Sequence, residues 1–208
     1  MICPNSEIYM STAARREREK EKRRNDIIDV AERLFFSRGY NNVTMEDIAR
    51  ETELARGTLY LYFKNKGDIY IAIAIRGLKI LNDLFREGYM KGNTGIAKIK
   101  LMLLAVYDFY RKYPGYYMMI GNMQSRGFEK EDYPEMEEVE SIHRDSFSMV
   151  LDAFNMGIRD GTVRGDIDPA KAAFILTASM QSVLNTSPAD GLVEYAVDMM
   201  LRSIKGTK

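Results

Sequence analysis

Apolar residues recur three and four positions apart along most of this chain, the spacing that builds one face of a helix. Ile27, Ala31, Leu34 and Phe35 form the first such stripe, and Gly39 follows where a helix C-cap glycine belongs. Thr44 and Asp47 have the spacing of a capping box, and Met45, Ile48 and Ala49 supply the buried stripe of a short second helix. Leu59 and Phe63 do the same for a third. Asn65 can cap a fourth, with Asp68 near its positive end and Ile69, Ile73, Ile80 and Leu84 inward, running to about Gly88. Five more helical segments follow, over 96–112, 114–124, 134–160, 169–185 and 188–204, with Pro169 suited to a first turn. No segment alternates as a strand would. The pattern predicts an all-α chain of about nine helices. Residues 1–14 read as a flexible tail, 15–66 as one domain and 67–208 as a second.

Charge sharpens this division. The formal net charge is zero, a mild argument against a nucleic-acid partner. Locally, 15–24 carries a net +4 and 125–168 a net −7, so opposite jobs can sum to nothing. The basic stretch reads either as a self-paired, solvated helix end or as a supplementary phosphate contact. The one cysteine, Cys3, can form no disulfide within the chain. No apolar run approaches the roughly 18 residues of a membrane span; 69–75 is stopped by Arg76. A cytoplasmic protein with no membrane partner is expected. One His and one Cys make a metal site improbable, and no cofactor is expected. There is no glycine-rich phosphate loop or nucleophile elbow, and the run Glu135, Glu137, Glu138, Glu140 reads as a solvated helix face, so no enzyme is expected.

The most specific stretch is 44–63, TMEDIARETELARGTLYLYF. It reads as two short helices joined by a tight turn. At about 100° per residue, Leu59 and Phe63 face inward, which turns Gly57, Thr58, Leu61 and Lys64 outward with Tyr60 and Tyr62 on the flanks and Arg56 at the amino end. Gly57 permits close backbone approach, Thr58 and the tyrosines can donate to phosphate, and Leu61 can meet a thymine methyl. A solvated bundle face is the alternative for any one of these residues. In order and spacing, AERLFFSRGY (31–40), VTMEDIARE (43–51) and RGTLYLYFKNK (56–66) resemble the DNA-binding region of the tetracycline-repressor (TetR) family. The resemblance implies an N-terminal three-helix domain with a helix-turn-helix, then a helical ligand-binding and dimerisation domain. It also implies a homodimer that represses transcription at double-stranded, palindromic operator DNA until a small-molecule effector binds. Carried over by position, Thr44, Tyr60, Tyr62 and Lys66 contact phosphates, and Arg56, Gly57, Thr58 and Leu61 face bases or adjoining backbone. Glu53 stands where the family commonly has glycine, and Ala55 where it has a serine-like cap.

The resemblance to the DNA-binding region spans 24–77; beyond it the likeness weakens to GTVRGDIDPAKAA (161–173). The residues there are rich in Met and Tyr, which suit the wall of a pocket for a hydrophobic ligand. Tyr107, Tyr110, Tyr117, Met118, Met123, His143 and Phe147 are the candidate ligand contacts, with plain core packing as the alternative. On the last two helices, Ala172, Ser179, Ser182, Tyr195 and Met199 are candidates for a dimer interface, with an intramolecular core as the alternative.

Overall fold

A computed structural model describes residues 5–123, 126–128, 132–189 and 191–206, with side chains from residue 12 onward. Among these residues there are nine α-helices and no strand. They are α1 (Asn5–Arg38), α2 (Met45–Glu51), α3 (Arg56–Tyr60), α4 (Lys66–Lys91), α5 (Gly95–Lys112), α6 (Pro114–Gly121), α7 (Met136–Arg159), α8 (Pro169–Asn185) and α9 (Leu192–Ile204). A short 3-10 turn, Tyr40–Asn42, precedes α2. Two compact units divide between Ile73 and Ala74, inside α4, rather than at the expected 66.

In the first unit α1 is longer than the apolar stripe requires. It begins at Asn5, so most of the expected tail is helix; Cys3 lies outside the described residues. From Thr12 to Asp26 its side chains are exposed except for the half-buried Arg24. Burial starts abruptly with Ile27, Ile28, Ala31, Leu34 and Phe35, which pack in one core with Val43, Ile48, Leu59 and Phe63. Gly39 takes φ 79° and ψ 147°, a positive-φ extended backbone that glycine adopts without steric cost, and its N–H donates to Phe35 O at 3.0 Å.

The second unit is a bundle whose core gathers Met102, Phe154, Leu176, Met180, Leu184 and Val197, among others. Its tightest crossing joins α5 and α7. A Cβ added at Gly95 would lie 2.0 Å from the Gly157 nitrogen, so two glycines let the backbones touch. The start of α5 is tied down there as well, with Gly95 N–H donating to the Asp160 carboxylate at 2.8 Å. Gly88, expected to end α4, is instead a packing position: a Cβ there would sit 3.1 Å from the Leu101 carbonyl carbon. The helix runs on to Lys91. Ile80 and Leu84, expected inward, are half-buried. α9 begins four residues later than its stripe suggests, because Ser187 and Gly191 adopt positive φ and break the first turn.

Candidate DNA-binding surface and ligand pocket

The capping box at the start of α2 forms as its spacing predicts. Asp47 N–H donates to Thr44 Oγ1 at 3.1 Å, and Thr44 N–H donates to Asp47 Oδ2 at 3.0 Å. The Thr44 hydroxyl and amide, with Arg50 close by, hold the Asp47 carboxyl down at about 2. The turn after α2 places Glu53 at φ 54°, in the left-handed region that favours glycine. Ala55, the N-cap of α3, offers no side-chain acceptor.

α3 is only five residues long. Leu59 and Phe63 anchor it at 0% and 2% exposure, while Leu61 is 80% exposed. Gly57 faces open space, with no atom within 4 Å of an added Cβ. Tyr60 is exposed, and Thr58 and Tyr62 are half-buried. The Arg56 guanidinium lies 2.8 Å from Glu46 and over the Tyr60 ring at 5.6 Å. Arg56, Gly57, Thr58, Tyr60 and Leu61 therefore belong to one accessible surface. Sequence reasoning missed Glu46. It lies 10 positions from Arg56 on a different helix, and no local spacing rule pairs them.

Lys66 is engaged within the first unit. Its ammonium donates to the carbonyls of Tyr40 and Val43, each at 2.7 Å, and sits over the Tyr40 ring at 4.2 Å. It ties the start of α4 to the turn before α2. A cation coordinated this way positions the helix-turn-helix. Arg24 acts similarly at the other end, stacking over Phe63 at 4.9 Å.

The second unit holds a cavity of about 530 Å³, within the range of small-molecule sites. α4 contributes Leu78, Leu81 and Phe85, α5 Val106 and Phe109, and α6 Tyr117 and Ile120. α7 supplies the longest wall, in which Met136, Val139, Glu140, His143, Phe147 and Val150 repeat at helical spacing. Thr177 and Gln181 close the α8 side. Of the expected contacts, Tyr117, Met123, His143 and Phe147 line the cavity. Tyr107, Tyr110 and Met118 do not. Met118 lies one position, or about 100°, past Tyr117 on α6 and is 65% exposed. The Tyr110 ring packs edge-on against Tyr117 at 5.1 Å instead of facing the cavity. Tyr107 lies under Arg111 at 5.6 Å. His143 is exposed as a residue, yet partial desolvation where the cavity wall encloses it pushes its pKa below the ordinary histidine value.

Of the expected interface residues, Ser182, Tyr195 and Met199 are exposed, whereas Ala172 and Ser179 are half-buried; Ala172 packs on the core. The exposed apolar stripe on α8 is instead Phe174 and Ile175, at 72% and 60% exposure. Among the described residues no three His, Cys, Asp or Glu side chains gather as a metal site. No helix there is long and apolar enough to cross a membrane.

A helix-turn-helix unit with an accessible second helix, followed by a helical unit with a cavity, is the architecture of a DNA-binding transcriptional regulator. The sequence profile described as "Bacterial regulatory proteins, tetR family" matches residues 27–73. Over that stretch, which holds the helix-turn-helix, the chain matches the tetR family's DNA-binding region. It is similar to the HTH-type transcriptional repressor KstR2 of Rhodococcus jostii (strain RHA1), with 28% identity over 152 residues that cover 72% of each chain. In fold it resembles the ketosteroid transcriptional regulator KstR2 of Mycobacterium tuberculosis, at TM-score 0.70 and 18% identity over 89% of this chain and 96% of that one. It also resembles the transcriptional regulator FadR from Bacillus subtilis in complex with stearoyl-CoA, at TM-score 0.68 and 20% identity over 86% and 98%.

Proposed function

We propose that this regulator is a homodimeric repressor that grips a palindromic operator through α3 and lets go when a hydrophobic molecule fills the cavity of its second unit. The observation that carries the DNA half is Leu61, a large apolar side chain 80% exposed on the accessible face of α3. A single exposed leucine is common at a protein surface; this one shares its face with Arg56 and the open Gly57, where a base-edge contact can cover it. Arg56, Gly57 and Thr58 flank it and face bases or adjoining backbone, while Thr44, Tyr60 and Tyr62 contact phosphates. Dimerisation uses the exposed stripe Phe174 and Ile175 on α8, with Ser182 beside it, and Leu192, Tyr195 and Met199 on α9. A two-fold dimer presents two copies of α3, which requires half-sites about 34–36 Å apart or a related spacing.

Helix α4 belongs to both units, with Lys66–Ile73 in the first and Ala74–Lys91 in the second. A ligand that favours one setting of this helix changes DNA affinity by their coupling free energy, typically about 1–3 kcal/mol. The coupling is reciprocal, so operator DNA weakens the ligand by the same factor.

The deciding experiment is selection of bound sites from random double-stranded DNA by the full chain at low salt. A palindromic consensus supports the proposal, and no enrichment refutes it. On the selected site, Tyr62→Ala lowers affinity for every sequence, whereas Leu61→Ala alters base preference. If both variants merely unfold, the assignment of the α3 face is wrong.

A further inference from the structure

The first turn of α3 carries a cation that is held from two sides. Nη2 of Arg56 lies 2.8 Å from Oε1 of Glu46, and the guanidinium carbon lies 5.6 Å from the centre of the Tyr60 ring. Tyr60 is one turn further along α3. Glu46 comes from the first turn of α2, so the ion pair spans the turn of the helix-turn-helix. The other carboxylate of that first turn, Asp47, is engaged by Thr44 and Arg50 and completes the capping box.

Glu46 is badly placed for a protein that needs only to attract DNA. Thr44, the proposed phosphate contact, lies two residues before it, and a carboxylate there repels phosphate. A negative charge in the first turn suits the helix dipole, but Asp47 supplies one. Pairing with Arg56 gives the Glu46 charge a use at the DNA surface. An arginine alone in water samples many rotamers and must be ordered on binding. Held between a carboxylate and a ring, it starts nearer to one geometry. A carboxylate at one edge leaves the guanidinium's other edge, with two parallel N–H donors, open. Guanine presents the matching pair of acceptors, O6 and N7, in the major groove. Arg56 is the first residue of α3, the end of a recognition helix that meets base edges. The open Gly57 beside it leaves room for them.

In water the pair contributes little, because both side chains are at least half exposed. DNA laid across α3 removes that water, and the attraction strengthens as screening falls. Resting on the operator-binding proposal above, we propose that Glu46 is a positioning residue for base recognition: it holds the Arg56 guanidinium so that the open edge reads a guanine in each half-site. Glu46 thereby lowers affinity for DNA in general and sharpens the preference for one base pair.

The test compares the full chain with its Glu46→Gln, Glu46→Ala and Arg56→Ala variants and the Glu46→Gln/Arg56→Ala pair, each well below its melting midpoint, on the consensus selected from random DNA and on sites altered one base pair at a time. Arg56→Ala should lose preference at one G·C pair per half-site by about fivefold or more. Either Glu46 substitution should relax the same pair by at least about threefold, while binding unrelated DNA as tightly as the parent protein or more tightly. In the Arg56→Ala background, Glu46→Gln should relax nothing further. Equal tightening of every site with the preference intact overturns the inference, since Glu46 is then a repelling charge only. A loss of preference that recurs in the Arg56→Ala background also overturns it, because Glu46 then reads the DNA by itself. Preference lost at an A·T pair on Arg56→Ala refutes the assignment to guanine. Absence of any consensus for the parent protein refutes the operator proposal, and this inference with it; a consensus that both Glu46 substitutions leave unaltered refutes this inference alone.

Discussion

Replacing Lys66 with methionine separates a structural cation from a DNA-contacting one. The substitution keeps the length of the stem and removes the ammonium. Two charge-assisted hydrogen bonds of 2.7 Å, to Tyr40 O and Val43 O, disappear, together with the contact over the Tyr40 ring. A hydrogen bond to a charged group contributes about 1.5–3 kcal/mol. Lys66 is half-buried, so water can recover part of the loss at the two carbonyls, and a net cost of about 2 kcal/mol follows. In a unit of this size that lowers the melting midpoint by about 10 °C. DNA binding supplies the second measurement. A lysine on phosphate contributes about 0.9 to the slope of log K against log salt. With its ammonium on backbone carbonyls, Lys66 contributes little to that slope. Fluorescence anisotropy on the selected operator, over a salt series well below the new melting midpoint, should therefore give an unchanged slope. A slope reduced by about one with an unaltered melt would refute the reasoning, because it would mean that the ammonium leaves its carbonyls for the DNA.

Gly95→Ala should destabilise the second unit by about 1–3 kcal/mol, since the new methyl meets backbone that cannot move aside, read as a lowered melt by circular dichroism. Gly57→Ala should spare the melt, there being nothing within 4 Å of its new Cβ, yet weaken operator binding by holding the α3 backbone off the DNA. Ala55→Ser should raise stability by about 1 kcal/mol by supplying the cap that α3 lacks, measured by urea unfolding. His143, the one histidine, should titrate below 6.5 by NMR. A base depressed in the folded state binds fewer protons there than in the unfolded chain, so stability falls as pH drops from 6.5 towards the folded value. His143→Asn should flatten that dependence, and a midpoint at or above 6.5 would show that the ring is not desolvated.

The DNA-binding unit was legible because its determinants are local. Thr44 and Asp47 lie three residues apart, Gly39 ends a stripe, and Leu59 and Phe63 fix which way α3 faces. Where an interaction spans the chain, legibility failed. The carbonyls that hold Lys66 lie 23 and 26 residues away, and backbone acceptors leave no mark in a side-chain pattern. The cavity shows a different limit. On α7 the apolar spacing was readable, but a residue facing a core and one facing a cavity obey the same preference for apolar surroundings. On α6 the rotation of one short helix decided that Tyr117 faces in and Met118 out. Phe174 and Ile175 were overlooked for a related reason. Attention fell on the small residues of α8, which favour close helix approach, while the exposed stripe was built from large ones.

The departures at Glu53 and Ala55 change how the motif is held more than what it presents. Each leaves about 1 kcal/mol of local stabilisation unrealised, one through a left-handed non-glycine residue and one through a missing cap. Both fall on the entry to α3, the shortest α-helix among the described residues. The elements on either side are fastened strongly, α2 by its capping box and α4 by Lys66. α3 is held by the burial of Leu59 and Phe63, by the stacking of Arg24 on the latter and, at its first turn, by the solvent-exposed Arg56–Glu46 ion pair, a weak tie in water. A recognition helix set between two firm neighbours with a soft entrance is free to adjust its first turn, where Arg56 and Gly57 lie, without disturbing its buried end. That freedom costs affinity, because the turn must be ordered on binding. It also places the adjustable part of the motif at the residues that face the bases.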